Sequence, residues 1–314
     1  TSYSPASTEH YLLSHKDELG YEKSGSEYGS ACEIWAKELP IANVLKSYIS
    51  ELDMYNQAVR HFAPVEDIRP LLSECPCASL EVNGTGLINL FHSRQLSKTS
   101  SGFVEPLLPP MRHPKLCFNK RELMSLDYLV HDFAEMCKGL EATSRTVFID
   151  IGASIFFHKG GINPALSLVN LYAKFGFKFD HVYAYEITRT EPEELFKHLP
   201  SELFAAYHWI NVGVELDPSS KLNPWRMVRE NYNENDFVVV KLDIDTPALE
   251  HALVIQLLED DETGKLIDQF YFEHHVNVKE MRRYWRKNTD GSIYSSLKLF
   301  SDLRGKNIPA HFWV

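Results

Sequence analysis

TVFIDIGAS, residues 146–154, places four β-branched or aromatic residues ahead of an acid, Asp150, and a glycine, Gly152. Such a run reads as a short buried strand that stops at Asp150 and breaks at the glycine. An acid and a glycine at the carboxyl end of a strand suit a nucleotide site. The acid accepts a hydrogen bond from a ribose or amino group, and the glycine lets backbone approach a ligand closely. Downstream, β-rich runs alternate with helical segments: HVYAYE, HWINVGV, DFVVVKLDID and QFYFEHH are separated by helical patterns near Ala165, Glu191, Trp225 and Ala248. Alternation of this kind predicts βαβ units and a doubly wound, mostly parallel α/β sheet of Rossmann-like type over residues 141–314. A last helix near Ile293 and the run IPAHFWV add a final strand, expected to be antiparallel at or near an edge.

Each of these strands ends in polar chemistry: Asp150, then Glu186, Asn211, Asp243 with Asp245, and Glu273 with His274 and His275. In a doubly wound sheet the carboxyl ends lie along one edge, where ligands bind. A carboxylate after the second strand commonly takes the ribose hydroxyls of an adenosine-containing cofactor, which is the role expected of Glu186. Asp150, Gly152, Ser154 and Asn211 complete the expected cofactor set. A dinucleotide would want further glycines to bring a helix end against its pyrophosphate, and Ser154 and Phe156 stand in their places. A cofactor without phosphates, S-adenosylmethionine, fits better. At the reaction end, methyl transfer to oxygen calls for a base, and His274 and His275 are natural ones because neutral imidazole works near pH 7. Strand alternation sends the two to opposite faces, and His274 joins Asp243, Asp245 and Glu273 in the expected catalytic set. Asp243 and Asp245 also offer a divalent metal site, alone or with Glu273 or a histidine.

The first part of the chain has a different texture. Residues 1–30 are rich in Ser, Tyr, Glu and Gly and predict an irregular arm. Helical spacing of Ile41, Val44, Leu45, Tyr48, Ile49, Leu52 and Tyr55 follows, then a loop-rich stretch, and NKRELMSLDYLVHDFAEMCKGL predicts a helix capped by Asn119. Residues 1–140 are thus expected to form an arm and helical cap beside the α/β domain. Five cysteines with one close pair, Cys75 and Cys77, predict mostly buried thiols rather than a disulfide framework or zinc site. Forty-three acids against 32 bases, a net charge of −11, disfavour nonspecific binding to nucleic acid, although MRRYWRK at residues 281–287 is locally basic. No run is long and apolar enough to be read as a membrane span. Residue 1 is Thr, so a targeting segment removed on entry to an organelle or secretory lumen stays open, and Asn83-Gly84-Thr85 would be a glycosylation sequon there.

The succession VFIDIGAS, HVYAYE, WINVGV, VVVKLDID and FYFEHH resembles the class I S-adenosylmethionine-dependent methyltransferases. More closely it is similar to the FkbM-type methyltransferases, through Asp150-Ile151-Gly152-Ala153 and Lys241-Leu242-Asp243-Ile244-Asp245. LFSDLRGKNIPAHFWV and FEHHV resemble an algal and plant branch of that group. The likeness covers residues 140–314 and not the first part of the chain, so it does not fix the acceptor; O-methylation of a small-molecule or glycan hydroxyl is the expected reaction. Where that motif usually continues Gly-Glu, Thr246 and Pro247 stand here. This departure motivates a second expectation, a methyltransferase fold without catalysis that serves in assembly with a protein partner. A third is a metal-dependent glycosyltransferase using Asp243-Ile244-Asp245.

Overall fold

A computed structural model describes residues 3–74, 77, 80–82, 85–154, 163–197, 199–286 and 288–313. Cys75, Asn83, Gly84 and Phe156 fall outside the described residues. Six parallel strands form the central sheet: β1 (Thr146–Ile151), β2 (His181–Tyr185), β3 (Tyr207–Ile210), β4 (Phe237–Leu242), β5 (Gln269–Phe272) and β6 (Ala310–Phe312). Their order is β6-β5-β4-β1-β2-β3, the doubly wound order whose direction of winding reverses between β1 and β4. Every residue of β1 and β4 is buried, as strands covered on both faces must be.

Most helices between the strands start on sequence signals that need no tertiary help. Helix α3 (Pro164–Lys174) has the Asn163 side chain accepting from Leu166 N–H, and α4 (Pro224–Asn231) has Asn223 accepting from Trp225 and Arg226 N–H. Proline at the first helical position follows each cap, where its missing N–H costs nothing. Helix α5 (Pro247–Glu259) also begins on proline, and α6 (Ile293–Gly305) begins on a reciprocal Ser292–Ser295 capping box. Because α6 carries the chain back across the sheet, β6 enters parallel to β5, with Phe312 opposite Phe272. The expected antiparallel edge strand is therefore corrected to a parallel one: a helical crossover delivers a parallel neighbour, whereas an antiparallel one calls for a hairpin.

The N-terminal part is built into the same core rather than laid over it. A single cluster of buried apolar residues runs from Leu12 through Tyr48 and Phe133 to Val239 and Trp313. The arm opens with a helix (Ser7–Ser14), and its Glu9 is buried against Arg304 of α6 at 3.3 Å. Residues 119–138 do not form one helix. A short 3₁₀ turn (Lys120–Met124) and a helix limited to Phe133–Lys138 flank non-helical chain, where Val130 N–H donates to Glu105 and His131 N–H donates to Tyr55 Oη. Those partners take donors a helix would have used. The cysteine expectation is also corrected: Cys32 is bridged to Cys117, and Cys77 to Cys137. Both bridges tie N-terminal segments that are far apart in sequence.

Candidate functional site

Register across the sheet sets Ile210, Tyr185, Ile151, Leu242, Phe272 and Phe312 side by side. The next residue of each strand therefore forms a second row: Asn211, Glu186, Gly152, Asp243, Glu273 and Trp313. Over the middle of this row, at the reversal between β1 and β4, lies a cleft of about 610 Å³ walled by Gly152, Ser154, Glu186, Asp243, Asp245 and Leu249, among others. Its size and place are those of a small-molecule site in an open α/β sheet.

Gly152 shapes the floor. Its φ is +94°, and a Cβ there would stand 1.6 Å from the Asp243 carbonyl oxygen, so only glycine lets β1 turn beside β4. Gly152 and Ala153 N–H both donate to the Tyr185 carbonyl, at 3.0 and 2.8 Å, which locks the turn to β2. Asp150 lies beneath the floor and does not line the cleft. The apolar run continues through Ile151, so Asp150 is inside the strand, directly opposite Lys241 and 1 % exposed. Lys241 Nζ donates to Asp150 Oδ1 at 2.8 Å and to the Gly152 carbonyl at 3.2 Å, and lies 3.3 Å from Asp243 Oδ2. Burial opposes the lysine's charge, but the Asp150 and Asp243 carboxylates outweigh it and raise its pKa, so the ammonium stays protonated under the floor.

Glu186 stands on the β2 side of the cleft with its Oε1 held by Thr188 N–H at 2.6 Å. Asn211 is not on the wall. Its side chain spans the loop after β2, donating to the Glu186 and Thr188 carbonyls at 2.7 and 2.8 Å and accepting from Thr190 N–H. It supports Glu186 without facing a ligand. Among the described lining residues the charged groups are Glu186, Asp243 and Asp245, all acids.

The two histidines point apart, and His275 rather than His274 reaches the acids. His274 is 4 % exposed, bonds Ser296 Oγ through Nδ1 at 2.9 Å and stacks on Phe272. Burial and the nearby His251 and His275 lower its pKa to about 3. It is packed away from the cleft, against Ser296 and Phe272, and its lowered pKa makes it a weak proton acceptor, so the structure does not bring it to the expected catalytic position. His275 has Nε2 3.0 Å from Glu273 Oε2 and 3.8 Å from Asp245 Oδ1, and its ring lies on Trp285 at 4.7 Å. Ligand atoms of Asp245, Glu273 and His275 all fall within 4.8 Å of one another. Asp243 is not in that cluster but adjoins it. Burial and the Asp243 carboxylate push Glu273 up to about 8, and burial alone is the main cause that brings Glu250 up to about 7. Glu250 Oε1 accepts from Ile244 N–H at 2.8 Å, while Oε2 is buried without a partner.

Lys241, Glu250, Trp285 and Asn288 are site residues that sequence patterns passed over. Lys241 lay in plain view inside the Lys241–Asp245 motif, and Glu250 is the next acid after it. Nothing local marks Trp285 or Asn288. Comparison with known proteins returned no matching family model, curated protein or solved structure.

Proposed function

We propose that the chain is an S-adenosylmethionine-dependent methyltransferase acting on a hydroxyl of a small molecule or glycan. The observation that carries this reading is the charge of the cleft: three carboxylates and, among the described lining residues, no cation. Phosphates of a dinucleotide would be repelled there, whereas a ligand bearing a sulfonium and an ammonium is attracted. Glu186, following β2, would take the ribose hydroxyls, and the close approach at Gly152 leaves room for the amino-acid end of the cofactor. Asp243 and Asp245 border the side from which an acceptor would enter.

Calorimetry with S-adenosylmethionine and with NAD⁺ tests it directly. Saturable heat is expected with the first only. Glu186→Ala should weaken binding about tenfold or more, the usual cost of losing hydrogen bonds to a charged group. No heat at millimolar S-adenosylmethionine would favour the non-catalytic assembly role instead, and manganese-dependent hydrolysis of a sugar nucleotide would favour glycosyl transfer.

A further inference from the structure

The geometry points to a binding site for one divalent first-row transition ion, held by Asp245, Glu273 and His275 where the row of strand ends meets the cleft. His275 carries the argument. Its Nδ1 faces the Asn288 carbonyl at 3.2 Å, which places the ring proton on that nitrogen and leaves Nε2 with its lone pair. Nε2 is buried and makes no hydrogen bond, although Glu273 Oε2 lies 3.0 Å away and Asp245 Oδ1 3.8 Å away. Nε2 of the imidazole and oxygens of two carboxyl groups thus converge on one point with no hydrogen bond made at Nε2. His275 and Glu273 are buried, and a polar nitrogen left there without a partner is costly unless a cation takes its lone pair.

The spacing matches an ion. Donors at right angles about a metal with bonds of about 2.1 Å stand about 3.0 Å apart, the separation of His275 Nε2 and Glu273 Oε2. Asp245 need only swing inward, and its side chain is 84 % exposed and free to do so. The residues behind the ligands are those a metal site uses to aim them. Trp285 Nε1–H donates to Glu273 Oε1 at 3.1 Å, leaving Oε2 for the ion, and Asn288 Nδ2 donates to the Asp245 carbonyl at 2.8 Å. One imidazole with two carboxylates suits Mn²⁺, Fe²⁺, Co²⁺ or Zn²⁺, since Ca²⁺ and Mg²⁺ prefer oxygen alone. Asp245 also borders the cleft, so an ion held by these residues would sit at its edge. The site stands on its own geometry and does not depend on the identity of the cofactor.

The full chain, stripped with a chelator and dialysed, is titrated with Mn²⁺ by calorimetry and with Co²⁺ by visible absorption, in the absence of any cofactor. One ion per chain and cobalt d–d bands are expected. Asp245→Asn should weaken binding at least about tenfold without altering the metal-free circular dichroism or melting, because asparagine tolerates the φ of +56° found there. His275→Gln should abolish binding, and Asp217→Asn, outside the cluster, should leave it unchanged. If His275→Gln fails to fold, Asp245→Asn decides. Absence of saturable binding by both ions at millimolar concentration overturns the site, as does binding that Asp245→Asn leaves intact. Failure to bind S-adenosylmethionine would remove the methyltransferase reading and leave this one standing.

Discussion

At Gly152 the chain has no latitude. A methyl group at this position would overlap the Asp243 carbonyl and sit on a φ of +94°, so Gly152→Ala should cost on the order of 3 kcal/mol or more. Urea denaturation measures it; a loss below about 0.5 kcal/mol, the range of ordinary surface changes, would contradict the tight turn. Acid lability has a residue-level origin as well. Burial lowers His131 to about 3, in a pocket it shares with Tyr271, Tyr172 and His311. Glu105 is held down at about 2: burial alone would raise it, and His311, Arg304 and the Val130 N–H outweigh that. A buried neutral histidine takes up its proton in the unfolded chain first, so its contribution to stability falls as pH drops below about 6.5. The depressed Glu105 adds a loss that begins below about 4.5 and runs toward 2. Each group contributes at most about 1.4 kcal/mol per pH unit. Glu273 and Glu250, raised to about 8 and about 7, act in the opposite sense above about pH 4.5, where the folded chain holds the extra protons. Unfolding free energies should therefore fall clearly only below about pH 4.5, and Glu105→Gln should flatten that segment.

Among the elements, the two disulfides close loops between residues 85 and 60 positions apart. Chain entropy assigns each roughly 4 kcal/mol. Reduction should lower the melting temperature by several degrees, and Cys32→Ser with Cys117→Ser should reproduce most of one bridge's share. An unchanged melt in reductant would mean that the bridges do not form in solution. Such bridges persist in an oxidising compartment. Neither could be read from spacing, because pairing depends on which segments the fold brings together. The same limit explains the broken helix at residues 119–138, whose backbone donors go to Glu105 and Tyr55, at least 25 residues away in sequence. The strands themselves were readable, since apolar runs that stop in polar residues report burial directly. Their exact ends were not: one further isoleucine pulled Asp150 inside β1 opposite Lys241. His275 was one of the two histidines the pattern offered, but residues 273–275 lie beyond the end of β5 at Phe272, so the pleat that sorts faces no longer governs them.

For the molecule as a whole, the sheet and the N-terminal part share one core and one buried polar cluster. Arg304 donates to Ala310 and Glu105 carbonyls at 2.9 Å each and pairs with Glu9 and Glu105, while His311 bridges Glu105 and Gln269 at 2.8 and 2.7 Å. Removing one member would leave uncompensated buried charge, a loss of about 3–5 kcal/mol. Heat unfolding should accordingly be a single transition with equal calorimetric and van't Hoff enthalpies. Two resolved transitions would show that residues 1–140 and 141–314 unfold separately. Among the described residues no helix is long and apolar enough to cross a membrane.

The pairing of Glu9 with Arg304 spans 295 positions of sequence. At ribosomal speeds of about 5–20 residues per second, Glu9 is made roughly 15 to 60 s before its partner exists. For that interval the opening helix has neither its counter-charge nor α6, against which it packs, and it can dock only once the far end of the chain has been synthesised. Nascent chains arrested short of residue 304 should keep this helix sensitive to protease, and the finished chain should protect it.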